Sequence, residues 1–164
     1  MNPPIVYAFI DSQNLNLAIR DQGWMLDFGR FRKYLADKYG VARAFLFIGY
    51  IPTNETLYTN LRQQGYILIF KPTLVLSDGR VKGNVDAELV LHASAIEYPN
   101  YDKAVIVAGD GDYHCLVEYL IKQKKLLRLI IPDRYRYSTF LTKFSPDIVF
   151  LNDLQKKLEY KRRV

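Results

Sequence analysis

Four aspartates are the residues best suited to chemistry in this sequence, because each lies beside a strand-like run or a predicted helix start: Asp11, Asp86, Asp110 and Asp112. Asp11 directly follows the apolar run Ile5–Ile10, and Asp110 and Asp112 follow the run Ala104–Ala108. Ligands of an open parallel sheet bind outside the carboxyl ends of its strands. We therefore expect the four carboxylates to meet at one edge of a sheet.

Crowded carboxylates predict a divalent cation, since they repel one another and raise each other's pKa unless a cation neutralises them. Mg²⁺ and Mn²⁺ prefer oxygen ligands of this kind. The single cysteine, Cys115, excludes an intramolecular disulfide and a cysteine-rich zinc site, and the presence of only two histidines disfavours a His-based metal cluster. For each aspartate taken alone an alternative stays open: Asp-Gly-Asp also forms turns and caps helices, here one beginning near Tyr113.

Several other activities lack their sequence signatures. The chain has no Gly-x-x-x-x-Gly-Lys-[Ser/Thr] loop, no Gly-x-Gly-x-x-Gly after the first strand and no Gly-x-Ser-x-Gly. A phosphatase with an aspartyl nucleophile after the first strand is expected to carry a second aspartate where Gln13 stands. These absences disfavour nucleotide triphosphate and dinucleotide binding, serine hydrolysis and aspartyl phosphatase chemistry.

The elements that must position the aspartates alternate between apolar runs of strand length and segments of helical period. The predicted strands are Ile5–Ile10, Ala44–Tyr50, Ile67–Lys71, Ala104–Ala108, Leu126–Ile131 and Ile148–Leu151. The predicted helices are Leu15–Asp21, Asp27–Tyr39, Glu55–Gln64, Asp86–Glu97, Tyr113–Lys124 and Ser138–Lys143. Mostly continuous apolar strands indicate cover on both faces. The pattern predicts an α/β fold with a doubly wound, mainly parallel sheet of five to six strands flanked by helices.

The chain is expected to form one domain over residues 1–151, with a short helix and basic tail over 152–164. The segment Pro72–Asn84 is the one long irregular stretch and reads as a hairpin or a mobile loop. No run of eighteen apolar residues and no signal-peptide pattern is present, so we expect a cytoplasmic protein without membrane association.

The net charge of +6 divides unevenly along the chain. Residues 1–120 carry 11 Lys and Arg against 13 Asp and Glu, whereas residues 121–164 carry 12 against 4. Such asymmetry suggests a polyanionic partner, or a solvated basic end. Four residues beyond the fifth predicted strand combine cations for phosphates with rings for bases: Arg134, Tyr135, Arg136 and Tyr137. A solvated loop whose tyrosines pack on the body is the alternative.

Three segments resemble the motifs of the NYN domain, the LabA-like branch of the PIN-like nucleases. They read Phe-Ile-Asp-Ser-Gln-Asn at 9–14, Lys-Gly-Asn-Val-Asp at 82–86 and Ala-Gly-Asp-Gly-Asp-Tyr at 108–113, in the family's order. The resemblance covers about residues 5–151 and implies a three-layer α/β/α fold with a metal-dependent ribonuclease site.

By this resemblance the four aspartates match the family's acidic residues, Asn14 matches the polar residue after the first of them, and Lys82 matches a lysine that faces the scissile phosphate or the acidic cluster. His92 stands where many relatives carry another Asp, which puts metal affinity in question; we interpret it as a core residue or a neighbour of the ligands. His114 lies at a helix start, where a surface residue able to touch substrate is expected. Cys115 is predicted to be buried.

The leading hypothesis is a metal-dependent ribonuclease that acts on RNA, in single-stranded form, with Mg²⁺ or Mn²⁺ held by the four aspartates. A different functional class stays open, namely a catalytically weak or inactive NYN-fold regulatory module that binds RNA or protein. Such a module is compatible with a homodimer. Hydrolysis of a small phosphate ester or nucleotide is a third hypothesis, favoured by a narrow closed pocket over an open groove.

Overall fold

The computed structural model describes residues 2–82 and 85–161. Its strands are β1 (Val6–Asp11), β2 (Val41–Tyr50), β3 (Tyr66–Pro72), β4 (Leu74–Val75), β5 (Val81–Lys82), β6 (Lys103–Val107), β7 (Leu126–Ile131) and β8 (Ile148–Phe150). Six of them form one sheet in the order β3-β2-β1-β6-β7-β8. Every neighbouring pair in this sheet is parallel.

The strand order places the topological switch between β1 and β6, where the two halves of the sheet are wound in opposite directions from the centre. Crevices at such a switch point are where α/β sheets bind ligands. The predicted doubly wound α/β fold is confirmed, with six strands. Each of the six predicted strands is present, with ends displaced by up to three residues.

The helices are α1 (Ser12–Asp21), α2 (Phe28–Tyr39), α3 (Glu55–Gln63), α4 (Asp86–Leu91), α5 (His114–Lys122) and α6 (Gln155–Leu158). Helix α4 continues into a π-type turn at His92–Ile96, and the predicted helix Ser138–Lys143 is a 3-10 helix over Thr139–Asp147. Helix α1 starts at Ser12 rather than Leu15 because the Asp11 side chain caps it, accepting a hydrogen bond from the Asn14 backbone N–H at 3.0 Å.

Strand β1 shows why its apolar run is continuous. All six of its residues are buried. Val6, Ala8 and Ile10 face the core layer built with α1, α2 and α6, whereas Tyr7 and Phe9 face the layer built with α4 and α5. Because both faces are covered, each side chain is removed from water, and full burial of one such large apolar side chain contributes about 2 kcal/mol.

The segment 72–84 contains a short antiparallel ribbon in which Leu74 pairs with Lys82 and Val75 pairs with Val81. Gly79 turns the ribbon with a φ of +84°, which a side chain would disfavour. The hairpin alternative is therefore the one observed. Within residues 2–82 and 85–161, no helix combines the length and hydrophobicity required to span a membrane.

The segment after β8 packs against the body of the protein. Leu158 in α6 is fully buried in the core layer that contains α1 and α2. The Asp27 backbone N–H donates to the Leu158 carbonyl at 2.8 Å, and the Tyr160 N–H donates to the Met25 carbonyl at 2.8 Å. Residues up to Tyr160 thus hold the loop between α1 and α2.

Candidate active site

Three of the four predicted aspartates form one carboxylate cluster at the carboxyl edge of the sheet. Asp86, Asp110 and Asp112 each offer one carboxylate oxygen, and these oxygens all lie within 4.8 Å of one another. Asp86 is the first residue of α4, whereas Asp110 follows β6 and caps the 3-10 helix Gly111–Tyr113, which contains Asp112. The oxygen of Asp110 also accepts a hydrogen bond from the Asp112 N–H at 3.0 Å. The turn expected of Asp-Gly-Asp and the acidic cluster therefore coexist.

Asp11 joins the cluster through a tyrosine. Its side chain is only 5% exposed at the end of β1. The Tyr113 hydroxyl lies 3.0 Å from Asp11 Oδ2 and 2.8 Å from Asp86 Oδ1, so it bridges the two carboxyl groups. A phenol has one hydrogen to donate. It can donate to one of the two carboxyl groups at a time, and Asp11 has a further donor in the Asn14 backbone N–H.

The surroundings of the cluster disfavour the ionised form of its carboxyl groups. Burial raises the pKa of Asp86 from 3.8 to about 6, and the nearby charge of Asp110 acts in the same direction, against the lowering effect of the Tyr113 hydroxyl. Burial likewise raises the pKa of Asp11. The pKa of Tyr113 is raised by burial and by both carboxylates, so its hydroxyl stays protonated. A bound cation would remove this repulsion.

Asn14 connects the first motif to the third. Its Oδ1 accepts a hydrogen bond from the Gly109 backbone N–H at 2.8 Å. The Asn14 N–H itself donates to Asp11, as described for the α1 cap. These two bonds fix the distance between the end of β1 and the loop that carries Asp110. Contact of Asn14 with a water or phosphate oxygen stays a prediction.

Two open cavities meet at Asp110. One, of about 310 Å³, is lined by Asp11, Gln13, Asn14, Leu17, Val85, Asp86 and Asp110. The other, of about 610 Å³, is lined by Gly109, Asp110, Gly111, Asp112, His114, Arg136, Tyr137, Ser138 and Phe140. Because they share an aspartate of the cluster, together they form a cleft along the acidic edge, which we call the acidic cleft.

The wall of the acidic cleft beyond β7 is packed tightly against the aspartate loop. The Ser138 N–H donates to the Gly109 carbonyl at 3.1 Å. A Cβ added at Gly111 would lie 2.9 Å from Ser138 Cβ and 3.1 Å from the Phe140 ring, closer than real Cβ atoms tolerate without movement. Glycine at 111 is thus required for the close approach that places residues 136–140 beside the cluster.

The four residues after β7 that were predicted to bind nucleic acid lie in three different environments. Arg136 and Tyr137 line the acidic cleft. Arg134 instead forms an ion pair with Asp153 and lies over the Phe150 ring, 5.2 Å from its centroid. Tyr135 is 82% exposed and lines a neighbouring cavity with Arg136. Among the described residues that line the cleft, Arg136 is the only Lys or Arg, and it also pairs with Asp21 at 3.3 Å.

The two histidines differ in their relation to the cleft. His92 is half-buried with its ring against Phe47, at 5.3 Å between centroids, and burial lowers its pKa. The described cluster of three aspartates does not include it. His114 lines the cleft, donates from Nδ1 to the Gly111 carbonyl at 3.0 Å and stacks on Phe140.

Two further predictions concern single residues. Cys115 was expected to be buried, and this is wrong, because the buried face of α5 consists of Leu116, Val117 and Leu120 and leaves Cys115 exposed. The Lys82 side chain lies outside the described part of the structure, so its expected contact with phosphate or with the acidic cluster stays a prediction.

Sequence reasoning missed Tyr113 and Phe140. The apolar phase of α5 predicts that Tyr113 is buried, and a buried tyrosine hydroxyl requires a partner. Combined with the adjacent aspartates, that requirement was the available signal. Phe140 gave no such signal, because its place beside the cluster depends on the packing of residues 138–140 against Gly111, a tertiary contact that local patterns do not encode.

The fold is shared with a Vibrio parahaemolyticus protein of unknown function whose crystal structure is known. The TM-score is 0.77 at 22% sequence identity, and the alignment covers 98% of this chain and 100% of the Vibrio chain. At that identity the likeness is evidence of the fold. Among curated proteins, none is significantly similar to this chain. Residues 6–142 match the NYN domain family, which has a PIN-like nuclease fold, and this range includes all four aspartates and Tyr113. The chain therefore belongs to the NYN domain family.

Proposed function

We propose that this protein is a metal-dependent ribonuclease that hydrolyses phosphodiester bonds in single-stranded RNA. The observation that carries the proposal is the group of three carboxylate oxygens from Asp86, Asp110 and Asp112, all within 4.8 Å of one another beside an open cleft. Membership of the NYN family supports the same activity.

The donor set fits a hard divalent cation. Every ligand atom of the cluster is a carboxylate oxygen. Mg²⁺ and Mn²⁺ prefer such ligands, whereas softer metals prefer sulfur or imidazole nitrogen. The raised pKa of Asp86 reflects a site that is unfavourable for negative charge until a cation enters. PIN-like nucleases typically use divalent metals. We infer that Asp86, Asp110 and Asp112 hold Mg²⁺ or Mn²⁺, with Asp11 behind them.

The residues of the chain then have separable tasks. A bound divalent ion supplies an activated water and stabilises the charge of an in-line displacement. Tyr113 holds the carboxyl groups of Asp11 and Asp86 in a fixed relation. Asn14 fixes the aspartate loop against β1. Arg136 offers a positive charge to the phosphate within the cleft, and Lys82 is proposed to act in the same way.

An extended substrate suits the site better than a small phosphate ester. The two cavities on either side of Asp110 have volumes of about 310 and 610 Å³. A nucleotide-sized ligand fills one such cavity, so residues of a chain on both sides of the scissile bond can be accommodated. His92 does not argue strongly for an inactive module, because the three-carboxylate cluster forms without a contribution from that residue.

The proposal is tested with purified protein and 5′-labelled single-stranded RNA. Cleavage is expected with Mg²⁺ or Mn²⁺, and EDTA should abolish it. Asp110→Asn should lower the rate by about 100-fold or more, as does loss of other groups that stabilise a transition state. Asp37→Asn is the matched control, since Asp37 is 63% exposed on α2 and pairs with Lys33. Cleavage that survives both EDTA and Asp110→Asn, or its absence at saturating metal, would overturn the proposal.

A further inference from the structure

We propose that Phe140, supported by His114, is a nucleobase-stacking subsite beside the acidic cluster, which binds a base of an unpaired strand next to the scissile phosphate. This inference rests on the proposed function, whose substrate it specifies further. The juxtaposition of an exposed aromatic ring with Asp110 and Asp112 across one cavity is the observation behind it.

Phe140 stands out within its own helix. The 3-10 helix Thr139–Asp147 buries Leu141 and Phe144 in the core, whereas the Phe140 ring remains 66% exposed. Exposure of a ring this large forgoes about 2 kcal/mol of burial. Because the ring lies in the wall of the acidic cleft, we infer that a bound ligand covers its exposed face.

The ring is held in a defined orientation. The rings of His114 and Phe140 are stacked, with centroids 5.6 Å apart and planes at 30°. The hydrogen bond from His114 Nδ1 to the Gly111 carbonyl fixes the imidazole. The Ser138 hydroxyl accepts a hydrogen bond from the Phe140 N–H at 3.2 Å. A platform fixed in advance loses little freedom when a base stacks on it.

The surroundings match the other parts of a nucleotide. Arg136 lies in the same cavity and provides a cation for a phosphate, while Asp110 and Asp112 provide the proposed metal site. The cavity volume of about 610 Å³ is within the range of small-ligand sites. Bases of a duplex have both faces covered by neighbours, so a stacking platform favours an unpaired strand.

Binding is measured with metal absent, so that it is separated from catalysis. All proteins carry Asp110→Asn and are kept in EDTA, and the probes are a fluorescent six-nucleotide RNA, the same RNA with abasic residues, and an RNA duplex. Phe140→Ala should weaken binding of the intact single strand by about tenfold, within the range of base–aromatic stacking. It should change binding of the abasic strand and the duplex by less than about twofold. Phe140→Trp should retain the affinity of the parent.

Tyr160→Ala is the matched control, because it removes a 56% exposed ring that is not among the residues lining the acidic cleft. The inference is overturned if the parent does not bind the intact strand, if Phe140→Ala binds it as the parent does, or if the abasic strand or Tyr160→Ala shows an equal loss. Metal-dependent cleavage without any effect of Phe140 would leave the proposed function standing and remove the subsite. Base-dependent binding through Phe140 in a protein that never cleaves RNA would leave the stacking subsite standing and remove the proposed function.

Discussion

Replacement of Asp86 by Asn is expected to stabilise the metal-free protein at pH 8. Burial raises the pKa of this carboxyl from 3.8 to about 6. Between about pH 4 and pH 6 the folded state therefore binds more protons than the unfolded chain, and the free energy of unfolding falls as pH rises through that window. Above about pH 7 the folded protein bears the full free-energy cost of an ionised Asp86 carboxylate, and Asn, which carries no charge, removes that cost.

The size of the effect follows from the rise in pKa. A rise from 3.8 to about 6 corresponds to about 3 kcal/mol at most. Asp86 is half-exposed, so solvent screening reduces this destabilisation. Loss of the favourable interaction between a carboxylate and the first turn of α4 costs about 0.5 kcal/mol. We expect a net gain of about 1–2 kcal/mol, or roughly 3–6 °C in Tm for a chain of this length.

The assay is thermal unfolding in EDTA at pH 4.5 and at pH 8. The parent and the Asp86→Asn variant should differ by roughly 3–6 °C at pH 8 and by less than about 1 °C at pH 4.5. Asp37→Asn serves as control, because its exposed carboxylate pairs with Lys33 and its loss should leave Tm unchanged or slightly lower. A destabilised Asp86→Asn at pH 8, or an equal change at both pH values, would show that the ionised Asp86 carboxylate does not destabilise the folded state.

Three further predictions concern the support of the site and its charge. Tyr113→Phe removes the hydroxyl shared by Asp11 and Asp86 and should cost about 1–3 kcal/mol in urea unfolding at pH 8; unchanged stability would show that water replaces it. Gly111→Ala forces the Ser138 segment outward and should cost about 1–3 kcal/mol, with partial recovery in the Gly111→Ala, Ser138→Gly double variant; no recovery would place the strain elsewhere. Arg136 is the only Lys or Arg that lines the cleft within the described residues, so with the proposed Lys82 one or two phosphate contacts are expected, and a fourfold rise in salt should weaken binding of single-stranded RNA only about three- to sevenfold; a much steeper loss in fluorescence titrations would indicate additional phosphate contacts.

The sheet was predictable because its strands are covered on both faces. In β1 all six residues are buried, which demands a continuous apolar run and makes the strand visible in the sequence. Helix ends were less predictable, as the start of α1 shows. Its first turn depends on whether Asp11 uses its side chain as a cap, and the same carboxyl was assigned a chemical role.

The aspartates were predictable as a group because parallel strands and their connections bring successive carboxyl ends to one edge. Their detailed relations were not. The bridge from Tyr113 to Asp11 joins residues 102 apart in the sequence. The ion pair that draws Arg134 away from the cleft involves Asp153, in a segment that composition alone identifies only as a basic end. Such contacts depend on tertiary packing, which local patterns do not encode.

We infer that Asp86, Asp110 and Asp112 together form a divalent-metal site. The most direct measurement is anomalous diffraction from crystals of this protein soaked in Mn²⁺. An anomalous peak is expected among the three carboxylates, and it should be absent from Asp110→Asn crystals treated in the same way. Soaked crystals without a peak at the cluster, or with a peak that persists unchanged in Asp110→Asn, would contradict it.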